Sequence, residues 1–164
     1  MRRYINGVAL FAAGMIAGLY LMQPSQAQDD RLTGIRLNHV GISAKDWDET
    51  LNFYIKTLGF KEAFTFKDKN GNVTTSYIQM NKDNFLEVSR GSADRPPVNH
   101  VGIQVDDINA TVANLRRRGV KVEDPHVGNS KAPIANVVDP NGIRLELVEF
   151  APESAQRKAV DSWR

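Results

Sequence analysis

His39-Val40-Gly41-Ile42 recurs as His100-Val101-Gly102-Ile103, 61 residues further on, and each copy lies in a short apolar run that alternates like a strand. The residues after each copy also correspond: an amphipathic stretch ending at Gly59 or Gly119, a turn-rich middle, and an apolar strand that carries one carboxylate. The carboxylates are Glu87, in Phe85-Leu86-Glu87-Val88, and Glu146, in Arg144-Leu145-Glu146-Leu147. His39 precedes Glu87 by 48 residues and His100 precedes Glu146 by 46. Two strands bearing His and two bearing Glu at nearly equal spacing describe a duplicated half-site whose four side chains surround one metal ion.

Side-chain parity supports this reading. Successive residues of a strand point to opposite faces of its sheet. The neighbours of the four candidates are Val40 and Ile42, Leu86 and Val88, Val101 and Ile103, Leu145 and Leu147, all apolar. One face is therefore a greasy surface for helices to cover. The other carries His39, Glu87, His100 and Glu146 with Gly41, Ser89, Gly102, Gln104 and Arg144, and forms a groove.

The chain outside this repeat has other roles. Arg2 and Arg3 precede an apolar run from Val8 to Met22, followed by Ser25-Gln26-Ala27. Residues 1–27 read as a secretory signal cleaved after Ala27, with an uncleaved membrane anchor as the alternative; residues 28–34 read as a linker. Export to the periplasm or medium is expected. Residues 1–27 hold two of the 21 basic residues and none of the 19 acidic ones, so the remainder is near neutral. Nucleic acid is not an expected partner, because binding phosphate backbones needs a basic patch. The basic run Arg116-Arg117-Arg118 ends a predicted helix, where cations offset the helix dipole. With no cysteine in the chain, any metal site uses nitrogen and oxygen ligands and the core alone holds the fold.

Along the chain, Ile35 to Ser43 reads as the first strand and Asp46 with Glu49 as a helix start. Trp47, Leu51, Tyr54 and Leu58 make the helix's apolar stripe, and Gly59 ends it. Strands at Lys61 to Phe66 and Val73 to Met80 flank an Asn70-Gly71 hairpin, and the strand with Glu87 comes next. Gly91 to Pro97 connects the halves. The second half repeats the plan: a strand over Val98 to Val105, a helix capped by Asp106 or Asp107 with Ile108, Val112 and Leu115 inward, then Gly119. A short strand over Val120 to Glu123, an irregular stretch from Asp124 to Pro133, a strand over Ile134 to Val138 and the strand with Glu146 complete it. The order is strand, helix, three strands, twice, within residues 35–90 and 98–150.

The paired modules, the two His-Val-Gly-Ile openings, Asn52-Phe53-Tyr54 with Leu58-Gly59-Phe60, and the closing Asp139-Pro140-Asn141-Gly142-Ile143-Arg144-Leu145-Glu146-Leu147 strongly resemble the vicinal oxygen chelate superfamily. That group includes glyoxalase I, methylmalonyl-CoA epimerase, extradiol dioxygenases and the bleomycin and fosfomycin resistance proteins. The resemblance spans Leu37 to Phe150. It implies an α+β fold of two tandem βαβββ modules, a cupped eight-stranded mixed sheet with helices outside. It also implies one divalent ion (nickel, zinc, cobalt, manganese or iron) on His39, Glu87, His100 and Glu146, with no organic cofactor. By the same resemblance Glu146 is the first candidate base and Glu87 the second, for removing a proton beside a metal-bound carbonyl of a small substrate with vicinal oxygens. A homodimer is expected, with each site built in one chain or across two. The substrate side departs from glyoxalase I: Ser43-Ala44-Lys45 stands where an arginine is found, and Gly91 near a glutathione-contacting asparagine, so glutathione is not expected. A lyase or isomerase is the leading reading; an extradiol dioxygenase and a non-catalytic binding protein are the alternatives.

Arg144, on the ligand face, is read as meeting a substrate carboxylate or phosphate or pairing with a groove acid. Gln104 and Tyr77 are candidate substrate contacts, with packing the commoner role for Tyr77. His126 has no repeat partner and reads as a surface histidine or a proton shuttle. Residues 151–164 read as a polar tail, a short helix or a disordered end.

Overall fold

In the computed structural model, residues 32–91 and 97–164 are described. The expected signal, most of the linker and residues 92–96 of the inter-module connection lie outside them. Eight strands form one sheet in the order β2-β3-β4-β1-β5-β8-β7-β6. They are β1 (Arg36–Ala44), β2 (Lys61–Lys67), β3 (Val73–Gln79), β4 (Phe85–Arg90), β5 (Val98–Val105), β6 (His126–Val127), β7 (Pro133–Val138) and β8 (Arg144–Glu149). The modules join through β1 and β5, which pair antiparallel with Val40 opposite Val101. Each then pairs in parallel with its module's carboxylate strand, β1 with β4 and β5 with β8.

Alternation sorts the side chains as expected. Val40, Ile42, Leu86 and Val88 pack under the first helix with Trp47, Leu51 and Tyr54. Helix α2 (Ile108–Arg117) covers Val105, Val137 and Leu147 with Ile108 and Val112. Asp107 caps it, accepting a hydrogen bond from Ala110 N, while Asp106 pairs with Arg36 at 2.7 Å. Each fully buried aliphatic chain contributes about 1.5–3 kcal/mol, so these two outer clusters fix which face the ligands occupy.

Three segments differ in detail from the sequence reading. The first helix is α-helical only over Trp47–Leu51 (α1) and continues as a π-helix over Asn52–Thr57. The wider turn, marked by Leu58 N donating to Phe53 O, shifts the apolar stripe; Ile55 enters the core and Leu58 is left 46% exposed. Val120 to Glu123 forms no strand, although Val120 and Val122 pack against the α2 cluster. The strand of that module is instead His126–Val127, in the stretch read as irregular, where Lys131 at φ 62° turns the chain back into β7. The polar tail takes the helical form as α3 (Ala155–Asp161), with Gln156, Ala159 and Val160 buried. Ala159 and Val160 pack with Tyr77, Phe85, Val148 and Phe150, on the same side of the sheet as the two carboxylates.

Candidate metal centre

Register brings the duplicated half-sites together. His39 pairs with Gly102 and Gly41 with His100, so each imidazole lies over the glycine of the other strand. A Cβ at Gly102 would overlap the His39 ring, and one at Gly41 the His100 ring. The repeated His-x-Gly is thus a ring and the space for its partner ring. In the parallel pairs Glu87 lies opposite Gly41 and Glu146 opposite Gly102. All four side chains converge from a single chain, with one ligand atom of each within 4.8 Å of the others. One chain thus supplies all four donors.

The donor set fits a divalent ion. His39 Nε2 is 2.8 Å from His100 Nε2, 3.6 Å from Glu87 Oε2 and 3.5 Å from Glu146 Oε2; His100 Nε2 is 3.4 Å from Glu87 Oε2. Neighbouring ligands bonded at about 2.0–2.2 Å to one ion stand at such separations. Both imidazoles are buried and both carboxylates mostly so. Two ionised carboxylates in an interior need compensating positive charge, and Arg144 alone supplies one cation. Burial pushes the Glu87 carboxyl up, but hydrogen bonding and charge from His100 and His39, with the Tyr77 hydroxyl, outweigh it and hold it at about 2. Glu146 is lowered too, burial opposing the hydrogen bond and charge of His39.

Hydrogen bonds orient the rings. His39 Nδ1 donates to Asn38 Oδ1 at 2.9 Å, which turns its Nε2 toward the cluster. Arg144 Nη2 donates to His100 Nδ1 at 2.7 Å, so the His100 proton is on Nε2, 2.8 Å from His39 Nε2 and 3.4 Å from Glu87 Oε2. A metal ion and this shared proton compete for the same two nitrogens. An ion held through His100 Nε2 would require that proton to sit on Nδ1 and Arg144 to give up its bond to that nitrogen.

A family model described as the glyoxalase/bleomycin resistance protein/dioxygenase superfamily matches residues 38–136, which hold three of these four side chains. The chain belongs to that superfamily. Among curated relatives, a probable chloroplastic lactoylglutathione lyase of Arabidopsis thaliana is 29% identical over 167 residues, covering 93% of this chain and 46% of its own length. The chain thus spans about half of that relative. The mitochondrial methylmalonyl-CoA epimerase of Dictyostelium discoideum is 24% identical over 130 residues, covering 70% of this chain and 78% of that protein. A solved methylmalonyl-CoA epimerase in complex with methylmalonyl-CoA and NH4+ shares the fold, with TM-score 0.62 and 24% identity over 74% of this chain and 99% of that one.

Around the four-residue cluster, the other expected residues take distinct places. Arg144 reaches His100, Glu146 (3.4 Å), Asn136 and Asn99, and its side chain stays 35% exposed at one end of the cup. Tyr77 is buried behind Glu87 and donates its hydroxyl to Oε2; burial, then the Glu87 charge, raises its phenol well above the ordinary value. Gln104 lies on the ligand face but away from the cluster, in a crevice shared with Arg36, Glu149 and Arg157. His126 is exposed on β6 and not among the cluster residues. A larger cleft of about 690 Å³ lies beside the first helix, lined by Lys45, Asn52, Phe53 and Val98. Glu49 and Tyr54 line it as well, and none of the four clustered side chains does.

Two residues escaped the sequence reading. The repeat extends one position upstream, to Asn38 and Asn99, and each asparagine is the extra residue where the β1–β5 register shifts. Those bulges swing the amides back to the ligand side: Asn38 holds His39, and Asn99 holds Arg144. The signal was the identity of the preceding residue in both copies. The crossed packing of ring and glycine gives a direct prediction. Gly102→Ala is expected to displace His39 and weaken metal uptake by about 10- to 100-fold, as mispositioned ligands do, with the circular dichroism of the sheet retained. Val101→Ala, on the opposite face, should leave uptake unchanged in the same calorimetric titration; equal uptake by all three proteins would refute the packing argument.

Proposed function

We propose that this chain is a divalent-metal-dependent lyase or isomerase of the glyoxalase type, acting on a small substrate with vicinal oxygens by moving a proton next to a carbonyl. The observation that carries the reading is the unequal setting of two carboxylates on one pair of imidazoles. Glu87 is clamped by the Tyr77 hydroxyl and lies within 3.5 Å of Ser89 Oγ, so it is built to stay ionised and to hold an ion. Glu146 has no such neutral clamp. Its Oε1 has only a 3.4 Å contact with Arg144, which leaves it the freer proton acceptor. An ion held by the four residues would supply Lewis acidity to the substrate carbonyl. Arg144, beside a cleft of about 530 Å³ that Lys121 and Asn136 also line, is placed to take a substrate carboxylate or phosphate. The named relatives, a lyase and an epimerase, support this class.

The test is solvent exchange. In deuterium oxide the metal-loaded protein is offered 2-oxoaldehyde thiol adducts, 2-acyl thioesters and catechols. Deuterium entering unreacted substrate from either of the first two classes is the expected result. Oxygen consumption with a catechol, without exchange into any substrate, would replace this reading with the dioxygenase one.

We also propose that the protein is exported and acts as a homodimer with a complete site in each chain; the basic and apolar pattern of residues 1–27 supports export. Intact mass of exported material is expected to begin at Gln28. Material retaining Met1 and sedimenting with membranes would instead establish an anchor.

A further inference from the structure

Helix α3 spans one end of the cup from module to module. At its start Ala155 N donates to Ser130 O, in the loop between β6 and β7, at 2.9 Å. Towards its other end Ala159 O accepts from Gln79 Nε2 of β3 at 3.5 Å, and the same amide donates to Lys82 O at 3.0 Å. Ser154 caps the helix, is fully buried, and accepts from Arg157 N. Between these ties Ala159 and Val160 sit on Phe85 and Val148. Phe85 lies two residues before Glu87 and Val148 two after Glu146, so this wall stands roughly 7 Å along the strands from the ligand carboxylates.

The opposite end is different in kind. There Ser43 pairs with Ser89, and Ser89 Oγ meets Thr75 Oγ1 at 3.3 Å, while Arg144 remains partly exposed across the cup. Among the described residues, one end is polar and leaves Arg144 partly exposed; the other is apolar and strapped by α3.

We propose that α3 is a specificity-determining end wall: it bars from the cup any vicinal-oxygen ligand that extends on both sides of the metal cluster, and admits those whose bulk leaves past Arg144. This rests on the vicinal-oxygen reading above, but not on turnover. Gln156 belongs to the same wall. It is buried on the same face of the helix as Ala159 and Val160, and its Oε1 has no hydrogen-bond partner among the described residues. A buried amide oxygen left so calls for a donor, and a short ligand reaching the wall with an N–H or O–H supplies one.

The experiment uses the full chain loaded with cobalt(II), whose visible spectrum reports ligand binding. Two hydroxamic acids serve as probes: hexanohydroxamic acid, with one alkyl arm, and its N-hexyl derivative, with an arm on each side of the chelating oxygens. The wild type is expected to bind the two-armed probe at least about 10-fold more weakly than the one-armed probe, as a steric wall requires. Ala159→Glu, which puts a carboxylate against Phe85 and lifts the helix, should reduce that ratio to about threefold or less. Ala155→Pro is the gentler variant. It removes the N–H that ties the helix to Ser130 at a first-turn position that tolerates proline, so folding is preserved while the ratio falls part-way. Equal binding of both probes to the wild type would overturn the inference and leave the proposed function standing. So would an undiminished ratio in a folded variant whose C-terminal residues have become sensitive to protease. Failure of both probes to perturb the spectrum would instead overturn the vicinal-oxygen reading, and the inference with it.

Discussion

Glu146→Gln is expected to lower turnover by about 10²- to 10⁴-fold, the range lost when a positioned general base is removed, and to abolish deuterium exchange into unreacted substrate. Glutamine keeps the length of the side chain and an oxygen for an ion, so metal content should change far less than rate. The residue is singled out by what surrounds it. Glu87 accepts from Tyr77 and is held at about 2, whereas Glu146, beside His39 and the 3.4 Å contact with Arg144, has no hydroxyl clamp among the described residues. A base held too firmly ionised by its neighbours is a poor proton acceptor, since its conjugate acid is too strong. Glu87→Gln should therefore act differently, weakening the metal site and costing about 100-fold. Exchange that survives in Glu146→Gln and disappears in Glu87→Gln would reverse the two assignments.

His39→Ala and His100→Ala are expected to lose bound metal altogether under purification conditions, with affinity down by at least about 100-fold, while remaining folded. Neither ring belongs to the three apolar clusters that hold the sheet to its helices. Each substitution also changes its neighbours in a predictable direction. His100 supplies the largest influence that lowers Glu87, so without it the Glu87 carboxyl rises toward its ordinary value. In the wild type the folded value, about 2, lies below the ordinary 4.5, so Glu87 contributes stability that is present above about pH 4.5 and lost as pH falls through about 2. In His100→Ala that contribution shrinks and acid unfolding of the metal-free protein moves to higher pH. Urea titrations from pH 3 to pH 7 would show it, and coincident curves for the two proteins would contradict it.

The centre was legible in the sequence because it is written twice. A histidine or glutamate alone in an apolar strand has many structural explanations, but four at matched spacing and parity have few, and His39, Glu87, His100 and Glu146 converge in the structure. Whether one chain suffices was not legible, since the β1–β5 pairing that decides it depends on contacts 61 residues apart. The smaller differences have local causes. A π-helix substitutes i→i+5 bonds for i→i+4 ones without changing the composition of Asn52–Thr57, so the expected stripe through Leu58 went astray. His126–Val127 is too short to show alternation. In α3 only Ala159 and Val160 are apolar among the three buried positions, and a helix of seven residues has no room for a long periodic signal. Asn38 and Asn99 were in plain view, but a bulge puts them on the ligand side where simple alternation assigns them to the other.

The most direct test of the metal centre is elemental analysis of the wild-type protein, purified without chelators and after reconstitution with nickel, zinc, cobalt, manganese or iron in turn. The four converging donors predict about one divalent ion per chain for at least one of these metals, and none retained by His39→Ala or His100→Ala. A wild-type chain that takes up none of the five, or that holds an ion equally well without either histidine, would contradict the account.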